Sequence, residues 1–68
     1  MQGVEPKLDK AFHGKSAQEL AAAPVSALKG VSDGDAELLL KAFNIKTIKD
    51  MGTNKFFLAA QAIANLAD

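Results

Sequence analysis

A chain of 68 residues has room for one small core and buries only about 60% of the surface its unfolded form exposes. With no Cys and a single His, disulfides and a Cys/His zinc site are excluded, so cohesion must come from helix packing or from a partner subunit. Eight Lys, no Arg and eight acidic residues give zero net charge, which removes any long-range attraction to nucleic acid or to an anionic membrane.

The composition is rich in Ala and Leu, which favour helix, and the few β-branched residues are scattered. Met1 to Glu5 reads as a tail, and residues 6–68 as one helical domain. Pro6 suits the first turn of a helix that puts Leu8, Ala11 and Phe12 on one face and stops at His13-Gly14. Ser16-Ala-Gln-Glu19 is a capping-box pattern that starts a second helix running to about Ala22, before Pro24 interrupts it. Pro24 to Lys29 forms another short helical stretch closed by Gly30.

Ser32-Asp-Gly-Asp35 signals the next start, with acidic residues in the first turn where the helix dipole favours them. The helix it opens turns Ala36, Leu39, Leu40 and Phe43 inward and ends near Asn44. Thr47-Ile-Lys-Asp50 begins a single turn ending at Met51-Gly52, and Thr53 or Asn54 caps a last helix reaching about Ala67. From Phe56 to Ala67 that helix carries only Gln61 and Asn65 as polar residues. A helix apolar nearly all round is expected either at the centre of the fold or on a contact surface with another subunit, and the central position is the preferred expectation. The expected core is Leu8, Phe12, Leu20, Val25, Leu28, Val31, Ala36, Leu39, Leu40, Phe43, Ile48, Phe56, Ala60 and Ile63.

The chain also matches itself at an offset of 31 residues, Leu8 falling on Leu39. Lys10, Ala11, Phe12 and Lys15 fall on Lys41, Ala42, Phe43 and Lys46, while Ser16 and Glu19 fall on Thr47 and Asp50. Each half then reads as a helix ending on Phe, a tight connection and a capped single turn. Two related units packed face to face would each cover the apolar surface the other leaves open.

The run from Leu28 through Gly30, Val31, Ser32, Gly34, Ala36, Leu39 and Phe43 to Ile45 resembles a helix-hairpin-helix motif, in a degenerate tandem arrangement. The resemblance implies an all-α fold: a compact bundle of four to six short helices built as two hairpin units. It also implies that Lys29, Gly30, Val31, Ser32 and Gly34 form a hairpin whose backbone N–H groups hold nucleic-acid phosphate without reading sequence. In this chain Ser32 replaces the second hairpin glycine, Gly34 stands where a basic or polar residue is common, and Asp33, Asp35 and Glu37 crowd the helix start. Those carboxylates repel phosphate and satisfy the helix dipole themselves. Gly30-Val31-Ser32 therefore reads as a structural turn first, with protein binding and phosphate binding as its functional alternatives.

His13 has no partner that would make it catalytic, the serines have no apparent base, and the carboxylate spacing does not match a calcium loop. No enzyme, cofactor or metal is expected. Lys10 and Lys15 recur at the offset as Lys41 and Lys46 and, with Lys49, would form a basic face if the halves are related by a two-fold axis. Without a leader or a membrane-length apolar run, a cytoplasmic chain is expected. The expected function is a small adaptor that binds protein, itself included. The alternative is sequence-independent DNA or RNA backbone binding through the hairpin or the lysine face.

Overall fold

The computed structural model describes residues 5–68 and is all-helical. Of the expected tail, residues 1–4 lie outside the described residues, and Glu5 opens the first turn. Four α-helices follow one another: α1 (Ala17–Ala22), α2 (Asp33–Phe43), α3 (Ile48–Gly52) and α4 (Lys55–Ala67). Single 3-10 turns occupy Glu5–Lys7, Lys10–Phe12 and Val25–Ala27. The helix expected from Pro6 to His13 is thus two separate turns, because Leu8 pairs with Leu28 in an isolated antiparallel bridge. There the Asp9 amide donates to the Ala27 carbonyl (2.9 Å) and the Lys29 amide to the Lys7 carbonyl (2.8 Å). A continuous helix would use those groups internally.

The start signals read from the sequence are realised at all four helices. Ser16 with Glu19, Ser32 with Asp35, and Thr47 with Asp50 each form a reciprocal capping box, with hydroxyl contacts of 3.1 Å. Each box satisfies two amides that the helix geometry would otherwise leave unpaired. At α4 the Asn54 side chain accepts from the Phe56 and Phe57 amides. Helix α2 ends where Asn44 turns left-handed (φ 57°), a conformation Asn tolerates better than most residues.

The centre of the fold is the segment from Ala23 to Leu28. It is stitched on one side to the N-terminal turns by the Leu8–Leu28 bridge. On the other it meets the α2–α3 connection, where the Val25 amide donates to Lys46 (3.1 Å) and the Ile48 amide to Ala23 (3.0 Å). Helix α1 packs on α3, and α2 packs on the Val25–Ala27 turn. The fully buried residues follow from this: Leu8, Leu20, Ala23, Val25, Ala27 and Ile45. Of the expected core, Leu8, Leu20 and Val25 are buried, while Phe12, Leu28, Val31, Ala36, Leu39 and Ile48 are half-buried.

Five expected core residues are instead exposed: Leu40, Phe43, Phe56, Ala60 and Ile63. Three of them lie on α4, which is therefore not the central helix. Two isolated backbone bridges, Leu8–Leu28 and Pro24–Thr47, flank the central 3-10 turn, and the small residues Ala23 and Ala27 are buried there.

The aligned halves of the chain agree in part. Ser16–Ala22 and Thr47–Gly52 are both short helices opened by a capping box, whereas Lys10–Phe12 is a 3-10 turn and Lys41–Phe43 closes an α-helix.

Candidate interaction surface

Helix α4 leaves the body at Asn54 and is anchored through its first turn. The Phe57 ring meets Phe43 edge-on with centroids 5.6 Å apart, and Phe56 meets the same ring at 6.3 Å. Beyond Phe57 every residue to the end of the helix is exposed, and ten consecutive exposed positions mean that every side of it faces solvent. Phe56 is 58% exposed, Ile63 66% and Leu66 86%. With Ala59 they recur at spacings of three and four, so they form one stripe along the helix. Through Phe56 the stripe continues onto Phe43, itself half open. Gln61 and Asn65 sit one turn apart on the opposite side.

Contiguous apolar surface of this kind marks interaction sites in soluble proteins.

The hairpin candidates lie elsewhere. Gly30 takes φ +99° at the turn in which the Val31 amide donates to the Leu28 carbonyl (3.0 Å), and Val31 is half-buried. What precedes the turn is the single 3-10 turn Val25–Ala27. Lys29, Gly30, Ser32 and Gly34 are exposed. The Ser32 amide is already occupied by the Asp35 carboxylate (3.2 Å), and the Asp35 amide by the Ser32 hydroxyl. The donors a phosphate would need are in part spoken for, by a group of the same charge as phosphate.

Nor do the lysines stand apart from acids. Lys41 pairs with Glu37 at 3.1 Å. Lys46 donates its backbone amide to Asp50 (3.0 Å), and Lys15 stands near Glu19. Lys10 and Lys49 are exposed. Hydrogen bonds from the Lys46 and Thr47 amides hold the Asp50 carboxyl below its ordinary range. The Ser16 amide and then its hydroxyl do the same for Glu19, with a smaller contribution from Lys15.

His13 is part of the scaffold. Its Nε2 lies 3.1 Å from the Leu8 carbonyl, which can only accept, so Nε2 carries the hydrogen and ties the Lys10–Phe12 turn to the bridge. An apolar groove of about 270 Å³ runs between α1, α3 and the first turns, walled by Leu8, Leu20, Leu28 and Ile48 with Lys7 at its rim. It includes no residue of α4. Among the described residues no group of three or more His, Asp or Glu is placed to hold a metal ion, and no helix is long and apolar enough to cross a membrane.

In comparisons with protein-family models, with curated proteins and with solved structures, nothing matches this chain.

Proposed function

We propose that the chain is a small non-catalytic interaction module that binds protein through the apolar face of α4. The observation that carries this reading is the exposure of Phe56, Ile63 and Leu66 on a helix with only two polar residues between its first and last positions. Fully burying a large apolar side chain is worth about 1.5–3 kcal/mol, so covering the exposed parts of three such groups favours association. Zero net charge, the Lys41–Glu37 ion pair and the nearness of Lys15 to Glu19 and of Lys46 to Asp50 leave little to attract a phosphate backbone.

Photo-crosslinking in the source cells tests the reading. A photoreactive residue at position 63 is expected to give discrete protein adducts, and one at position 15 none. Absence of adducts at 63, together with salt-sensitive binding of a short labelled duplex in an anisotropy titration, would replace this reading with nucleic-acid backbone binding.

A further inference from the structure

We infer that the partner of the α4 face is a second copy of this chain, bound antiparallel to it about a two-fold axis near the level of Gln61. The inference rests on the reading of α4 as a docking face and adds the occupant and its direction. Three features of the helix carry it.

The first is charge order. In α1, α2 and α3 acidic residues occupy the first turn (Glu19; Asp33 and Asp35; Asp50), as the helix dipole favours, and α2 and α3 add Lys41 and Lys49 in the last. Helix α4 has the reverse order: Lys55 at its N-terminus, Asp68 at its C-cap, and no acid in its first turn. Both charges oppose the dipole of their own helix. An antiparallel copy corrects both ends at once, because it places Asp68 of the partner subunit at the level of Lys55 and Lys55 of the partner subunit beside the last carbonyls of α4. A parallel copy would instead set like charges against each other at both ends.

The second is the fit of the stripe. Phe56, Ala59, Ile63 and Leu66 follow the alternating three-four spacing of a coiled-coil seam. With the axis at residue 61, Ala59 faces Ile63 of the partner subunit, and Phe56 faces Leu66 of the partner subunit. Each small residue meets a large one. Parallel pairing would set Ala59 against Ala59 of the partner subunit and leave a gap. The antiparallel register also brings Leu66 of the partner subunit to the edge of the open Phe43 ring, which adjoins Phe56 at 6.3 Å.

The third is support. A helix of about 13 residues is marginal in water on its own, and α4 is anchored to its own chain by Phe56 and Phe57 while residues 58–67 are exposed. A second copy supplies the packing that the last two turns lack.

Sedimentation equilibrium of the full chain, from micromolar to millimolar, is expected to show a reversible dimer of twice the 7.1 kDa monomer mass. Ile63→Asp is expected to shift it to monomer while leaving the helical circular dichroism of the body in place. Direction is read by cysteine oxidation. Ala62→Cys, near the axis, is expected to form a disulfide dimer readily. Leu66→Cys lies about 15 Å along the helix from its copy in this register and is expected to resist. A monomer at every concentration, a dimer indifferent to Ile63→Asp, or preferential crosslinking through Leu66→Cys would overturn the inference. A strict monomer that still gives photo-adducts at position 63 would remove the second copy alone, whereas a monomer with no adducts would remove the docking face as well.

Discussion

Ile45 and Ile63 carry the same side chain and occupy opposite environments, which makes one substitution a test of where the core lies. Ile45 is 1% exposed and sits just past the Asn44 cap, where α2 turns toward the Val25 segment; Ile63 is 66% exposed on α4. Ile45→Ala removes buried methyl groups and leaves a cavity in a centre built of crossing backbones that cannot easily collapse, a loss of about 2–4 kcal/mol. A domain of this length has a total stability of about 3–10 kcal/mol, and each kcal/mol moves the midpoint by about 4–8 °C. Ile45→Ala should therefore melt far below the parent or not fold at all. Ile63→Ala should stay within about 0.5 kcal/mol, measured on dilute protein where α4 has no partner. Thermal and urea denaturation followed by circular dichroism at 222 nm gives both numbers. A loss of 2 kcal/mol or more for Ile63→Ala in dilute solution, or a negligible one for Ile45→Ala, would refute this account of the core.

Other predictions follow from the caps, the turns and the carboxylates. Ser32→Ala and Thr47→Ala each remove a reciprocal capping box and should cost about 1 kcal/mol in chemical denaturation. Gly30→Ala meets no atom within 4 Å, so its cost is backbone strain at φ +99°, about 1–2 kcal/mol, whereas Asn44→Gly should be close to neutral because glycine accepts the left-handed cap freely. Glu19 and Asp50 titrate lower in the folded chain than when unfolded, so their contribution is present above the ordinary carboxylate range and is lost as pH falls through about 4 and below. A pH series of melting curves should show stability falling on the acid side, with Asp50→Asn flattening that limb.

Local structure was legible in the sequence to different depths. The three hydroxyl caps mark helix starts through side chains three residues apart, and Asn54 does so alone; these are local signals, and all four helices begin where those residues stand. The Pro6–His13 segment has the right apolar spacing for a helix, yet the long-range pairing of Leu8 with Leu28 claims its backbone, and no local pattern announces such a bridge. Apolar content alone placed α4 in the centre, because composition does not distinguish a helix covered by its own chain from one left for a partner. Ile45, by contrast, had a readable sign: an apolar residue directly after a left-handed helix cap commonly folds back onto the helix end. Ala23 and Ala27 had none, since their burial depends on two backbone crossings set by hydrogen bonds from residues more than 15 positions away.

Amide hydrogen exchange along α4, followed by NMR at low and high protein concentration, decides whether α4 is held by its own chain or by a partner. The account predicts that the Ile63–Ala67 amides exchange quickly in dilute protein and are protected at high concentration, while the Val25 and Ile45 amides are protected in both. Protection of the α4 amides that is already full in dilute protein and unchanged by concentration would contradict it, because the helix would then be held by its own chain rather than offered to a partner.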